Sequence, residues 1–257
     1  MRGESLKRIP TGILSLDESL GGGIPAGSLV LLLGEIGSGP HEFALTSSVV
    51  MAAIKSGLFE TAGGQVLPEG VWWLSFSRGE GDLREEISSS FGEELYREFE
   101  KWARFKDFSE QYFSPLQAWD ELLDSLHHFL REEGRNSLVI LSELTDFLPF
   151  LREEEWRKFL LFLRKLQRES KEWGNCLIYA PLETKLGGEN LQELEECADV
   201  VFCFEWVRLG PYKRKRAMYA RRLRRLPSSL WGEAVFEISF VPPLGLQVTK
   251  PELIRGI

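Results

Sequence analysis

The sequence is poor in the residues that would mark an exported or metal-stapled protein. It has only three cysteines (Cys176, Cys197, Cys203), which lack CxxC spacing and cannot all pair. That pattern excludes a disulfide scaffold and a zinc finger and points to a reducing, cytoplasmic setting. No uninterrupted apolar run reaches the ~18–20 residues of a membrane helix. Charged Met1-Arg2-Gly3-Glu4 has no apolar stretch behind it, so no secretory leader and no membrane association are expected. Methionine and histidine are equally scarce at three each, as is asparagine, whereas Glu, Lys and Arg are plentiful, which leans toward a thermophile. With 257 residues, 43% apolar and 27% charged, the chain has enough apolar material for a large core and is too hydrophobic to be disordered.

Acid exceeds base, for a net charge of −8, but unevenly. Nine basic residues and no acidic one lie between Arg208 and Arg225. Removing these nine from the 31 Lys and Arg leaves 22 against 39 acidic residues, a balance of −17. An acidic body repels nucleic acid and anionic surfaces in general, so any polyanion contact has to be local.

Strand-like apolar runs alternate with amphipathic stretches, the pattern of a parallel sheet covered by helices. Strands are expected at Ser28–Leu33, Val71–Phe76, Ser137–Leu141, Cys176–Ala180 and Asp199–Phe204, with a short one at Arg104–Phe108. The first of these runs is continuous rather than alternating, as a strand buried on both faces should be. Helices are expected at about Glu42–Lys55, Asp82–Arg104 with a break at Gly92, Pro115–Glu133 and Glu153–Trp173. After Phe204 come a basic, hairpin-like segment (Arg216–Leu226) and the alternating run Val235–Phe240, which suits an antiparallel edge. No repeat or long linker divides residues 1–257, so one domain is expected.

The most informative stretch is Gly34-Glu35-Ile36-Gly37-Ser38-Gly39-Pro40-His41, between the first strand and the first helix. It has the context and glycine spacing of a phosphate-binding P-loop, GxxxxGK[ST], with Gly34 and Gly39 at the two glycine positions. Pro40 and His41 replace the lysine and the hydroxyl residue. The lysine would neutralise phosphate, the hydroxyl would ligate Mg²⁺, and Pro40 removes one N–H from the phosphate nest. An ordinary glycine-rich turn is the plain alternative.

Arg8-Ile9-Pro10-Thr11-Gly12-Ile13, Leu16-Asp17 and Leu20-Gly21-Gly22-Gly23-Ile24-Pro25-Ala26-Gly27-Ser28 resemble the opening of the KaiC-like branch of the RecA superfamily, which includes the RadA/RadB recombinase relatives. Looser similarity runs to Leu246-Gln247-Val248. The resemblance implies an α/β, RecA-like P-loop core: a mostly parallel sheet flanked by helices, with an antiparallel C-terminal edge. It also implies oligomers that bind ATP between subunits.

Position by position, the implied ATPase site is altered. The catalytic Glu-Glu pair falls on Ser77 and Arg78, with Glu80 two or three residues late. The Mg²⁺-holding Asp of the Walker B strand falls on Ser142, with Glu143 one residue on and so facing the other way. Phosphoryl transfer depends on positioned charge, and three changes together argue for lost hydrolysis. The expected function is therefore a pseudo-ATPase binding or regulatory subunit with no catalytic residues, no metal and no cofactor. ATP and Mg²⁺ enter only in the alternatives, an ATP-binding effector without turnover or an atypical ATPase using Glu80 and Glu143.

By the same resemblance, Arg222 and Arg224 stand where a Lys-x-Arg pair reaches a neighbour's γ-phosphate. A charged, solvated edge strand is the competing reading. The expected partner is a protein, in a homo-oligomer or a hetero-oligomer with a family ATPase. A nucleic-acid-binding accessory protein is a further reading, since the basic segment carries Tyr212 and Tyr219. Against it, Leu182–Cys197, where the relatives hold DNA, is rich in glutamate. His127-His128 reads as surface or satisfied core, since adjacent helical residues project ~100° apart and make no two-ligand face.

Overall fold

The opening motif folds around one buried carboxylate. Asp17 Oδ1 accepts the Thr11 N–H at 2.7 Å and Oδ2 the Gly12 N–H at 3.2 Å. Gly12 needs its positive φ of 81°, and a Cβ there would sit 3.0 Å from Val50. These contacts lie in a computed structural model that describes residues 6–61, 63–109, 119–142, 144–146, 148–183, 189–226 and 235–249. The motif comprises β1 (Arg8–Ile9), α1 (Leu14–Ser19) and β2 (Ile24–Pro25), with β1 and β2 paired antiparallel. Two-residue strands and a six-residue helix carry too little periodicity to be foreseen.

The chain continues through β3 (Ser28–Gly34), α2 (Pro40–Lys55), β4 (Gly70–Ser75), α3 (Glu80–Trp102) and β5 (Ala103–Asp107). Next come α4 (Trp119–Glu132), β6 (Ser137–Leu141), α5 (Glu153–Glu169) and β7 (Leu177–Glu183). Last are α6 (Glu189–Glu196), β8 (Val200–Arg208), β9 (Arg214–Leu223), β10 (Val235–Val241) and β11 (Gly245–Thr249). The break at Gly92 is present, with φ 75° and ψ 167° inside α3. The expected start of α4 at Pro115 falls outside the described residues.

Two expectations needed correction. The helix from Glu153 does not run to Trp173. It ends at Glu169 in a 3-10 turn, because buried Trp173 turns its N–H back to Ser170 O ahead of Gly174, whose φ is +71°. The basic segment Arg216–Leu226 is not a hairpin of its own: it lies mostly in one strand, β9, which pairs with β8 on one side and β10 on the other.

Among the described residues nine strands form one sheet in the order β11-β10-β9-β8-β3-β7-β6-β4-β5. The six from β8 to β5 are parallel, and β9, β10 and β11 continue the sheet antiparallel. This is the expected α/β class. In β3, Val30 and Leu32 join Phe43 of α2 and Ile87 and Phe91 of α3 in one core. Leu29, Leu31 and Leu33 point the other way, into a core with Leu126 of α4 and Phe159 and Leu163 of α5. Period-2 alternation thus splits one apolar run between two buried layers, so no position in it is polar. Among the described residues no helix is long and apolar enough to cross a membrane.

Candidate functional site

Because β3, β4, β6 and β7 are parallel, the loops that leave them gather at one edge of the sheet, where open α/β folds hold ligands. The loop from β3 to α2 is tightly tied to β8. A Cβ on Gly34 would lie 2.4 Å from Ser38 Oγ and 2.8 Å from Phe204, so only glycine fits. Ser38 donates its hydroxyl to Phe204 O at 3.1 Å and its N–H to Glu35 O at 2.9 Å. Glu35 N–H donates to Phe204 O at 3.3 Å, and Trp206 Nε1 to Ile36 O at 3.3 Å. Gly37 and Gly39 take positive φ, 70° and 130°. Pro40 opens α2 without an N–H, as proline does well in a first helical turn. The loop keeps its shape, but several donors that could face an anion are spent inside the protein.

The cleft beside this loop measures about 500 Å³, and among the described residues it carries Glu42, Glu86, Asp146 and Glu183 against one guanidinium, Arg78. His41 Nε2 lies 3.0 Å from Glu86 Oε1, and Arg78 Nη1 lies 2.8 Å from Glu86 Oε2. Burial works against the charged forms of both His41 and Glu86. Their mutual attraction outweighs it, leaving the imidazole above its usual value and, with help from Arg78, the carboxyl below its own. Glu42 pairs with Arg216 at 3.1 Å. Glu183, half-buried at the end of β7, is raised by burial and then by Glu42. Such an acidic lining opposes a polyphosphate. Among the described residues no three His, Cys, Asp or Glu side chains are grouped to hold a metal.

The other expected positions take up different work. Ser77 donates to Asp146 Oδ2 at 2.5 Å. Ser142 is buried, with its N–H on Leu74 O at 2.9 Å. Glu143 lies outside the described residues. Glu80 begins α3 and pairs with Arg84 one turn on, at 2.7 Å. His127 is bonded to Glu169 at 2.8 Å, as a satisfied surface histidine should be. Glu86, Asp146 and Glu183 were missed because each acts far from its sequence neighbours. Only Glu183, polar at the carboxyl end of a buried strand, carried a readable signal.

The fold can be placed among known proteins. No protein-family model and no curated protein matches the chain. Among the many solved structures that match, a KaiC-like protein from the hyperthermophilic archaeon Pyrococcus horikoshii OT3 does so with a TM-score of 0.66 at 22% identity over 95% of this chain and 99% of the other. The fold is that of a KaiC-like protein.

Within this KaiC-like fold the arginines of β9 depart from the expected arrangement. Arg222 pairs with Val201 but Ala220 with Phe202, so Arg221 is the extra residue of a bulge. Both side chains reach α6: Arg221 pairs with the Glu195 carboxylate, and Arg222 Nη1 donates to Glu195 O at 2.9 Å. The strand ends at Leu223, so Arg224 is not on a shared strand face with Arg222. It lies exposed in the turn beyond, its N–H on Asp199 O at 2.9 Å. Both stand at the amino end of β8, at the opposite edge of the sheet from the loop Gly34–His41.

Proposed function

We propose that this chain is a pseudo-ATPase with a KaiC-like fold, a binding or regulatory subunit that does not hydrolyse nucleotide. One observation carries the reading. Where a phosphate site needs cations and free amides, Pro40 supplies no N–H, and His41 and Arg78 are both engaged by Glu86 in a cleft with three further carboxylates. Electrostatic stabilisation is the main lever of phosphoryl transfer, and this lining has the wrong sign for it.

The proposed partner is an ATP-binding paralogue. Arg222 and Arg224 are remote from the chain's own loop, so a phosphate that met them would belong to a neighbouring molecule. Head-to-tail packing brings unlike surfaces together in this way.

The test is thermal. Millimolar ATP with Mg²⁺ should leave the melting temperature unchanged, whereas a ligand at 100 times its Kd would add ~2.7 kcal/mol, readily seen as a shift. A saturable rise with ATP·Mg²⁺, absent with a matched salt and retained in Arg208→Glu/Arg214→Glu protein, would overturn the reading.

A further inference from the structure

β8 and β9 stay paired with each other beyond where their pairing with β3 and β10 stops. Pairing of β8 with β3 ends at Phe204, and pairing of β9 with β10 ends at Arg216. The two strands nevertheless stay paired with each other out to Arg208 and Arg214, and Leu209 N–H closes the turn on Lys213 O at 2.8 Å. The two strands therefore part from β3 and β10 as a two-stranded ribbon.

The register puts Trp206 opposite Arg216 and Arg208 opposite Arg214, so these four side chains share one face. The Arg214 guanidinium lies 4.1 Å over the Trp206 ring and that of Arg216 5.1 Å from it. Arg216 is committed to Glu42. Arg208, Lys213 and Arg214 have no carboxylate within ion-pair distance among the described residues. At the tip, Tyr212 is 99% exposed. Tyr219 belongs elsewhere: it is half-buried on the opposite face, beside Cys203.

We propose that this ribbon binds single-stranded nucleic acid, with the Tyr212 ring stacking on a base and Arg208, Lys213 and Arg214 meeting backbone phosphates. Single-strand binders combine these two elements, a cationic track and exposed aromatic rings that accept any base. Arg214, held 4.1 Å over the Trp206 ring, has its guanidinium positioned before a phosphate arrives. An acidic protein surface would account for the cations but leaves a wholly exposed tyrosine without a role. A duplex hides the base faces that Tyr212 would stack on. The inference is independent of whether the cleft hydrolyses nucleotide.

The experiment uses the full chain and a fluorescein-labelled oligothymidylate of about 30 nucleotides, read by anisotropy. Saturable binding is expected at about 50 mM salt, with log K falling against log salt at a slope near −2 for three phosphate contacts. Tyr212→Ala should weaken binding at least about fivefold. Arg208→Glu/Arg214→Glu should weaken it more than tenfold, and both proteins should melt like wild type, because these side chains are exposed. No saturable binding, or binding indifferent to these variants and abolished by Arg222→Glu/Arg224→Glu, would overturn the proposal. Equal or tighter binding of a duplex would overturn the single-strand assignment. Equal binding of polyglutamate, with Tyr212→Ala harmless, would assign the ribbon to an acidic protein instead.

Discussion

Glu86 draws His41 and Arg78 onto one carboxylate, and Glu86→Gln isolates what that arrangement contributes. Its partners are His41 at 3.0 Å and Arg78 at 2.8 Å, with side-chain exposures of 21% and 37% against 29% for Glu86. The Arg78 pair, the more exposed, is screened and contributes ~0.5 kcal/mol. The His41 pair is less exposed and hydrogen-bonded, and contributes ~1 kcal/mol while the imidazole is charged. The raised His41 value means that its share is fully present below the unfolded value of 6.5 and is lost as pH rises through the higher folded value. The lowered Glu86 value means that its share is present above 4.5 and is lost as pH falls through the folded value. Both groups are therefore charged and paired at about pH 6, and the imidazole is neutral well above its folded value. One kcal/mol moves the melting temperature of a chain this size by roughly 2–4 °C. Glu86→Gln should thus lower it by about 3–6 °C at about pH 6 and by about 1–2 °C at about pH 9. Calorimetric scans at the two pH values, repeated in a His41→Ala background where the extra loss at low pH should vanish, make the measurement. An equal loss at both pH values, or a pH-dependent loss that survives His41→Ala, would refute the assignment.

Pro40→Lys/His41→Thr should yield no ATPase turnover, because Ser77, Arg78 and Ser142 still lack the carboxylates; a phosphate-release assay checks this. Adding the chain to a co-purifying ATPase of its fold should raise turnover in an arginine-dependent way, since an arginine supplied in trans can be worth ~10³–10⁵ in rate. Turnover indifferent to Arg222→Ala/Arg224→Ala would end that idea. Burial lifts the Asp17 carboxyl from 3.8 to about 6, against the pull of the Thr11 and Gly12 amides. The folded state then holds a proton that the unfolded chain has released, so stability falls as pH rises from about 4 to about 6. Asp17→Asn should therefore gain ~2–3 kcal/mol relative to wild type between about pH 4 and pH 7 in urea titrations.

Local chemistry alone specified much of this protein. The unbroken apolar runs of β3, β6 and β8, the break at Gly92 and the turn closed by Gly34 and Gly39 were legible because each reflects periodicity or backbone sterics within a few residues. That positions 40, 41 and 142 hold Pro, His and Ser rather than a lysine, a Ser or Thr and a carboxylate was equally legible, since it is a fact of the sequence. Tertiary structure alone decided where the charges went. His41 meets Glu86 across 45 residues of chain, and Glu183 of β7 and Asp146, from the turn after β6, enter the same cleft. Arg221 and Arg222 turn together onto α6 because of a bulge, while Arg208 and Arg214 meet because β8 and β9 stay paired after they part from β3 and β10. A charged side chain has no period and many energetically similar partners, so its contacts follow from strand order and register, which form only when distant segments pack.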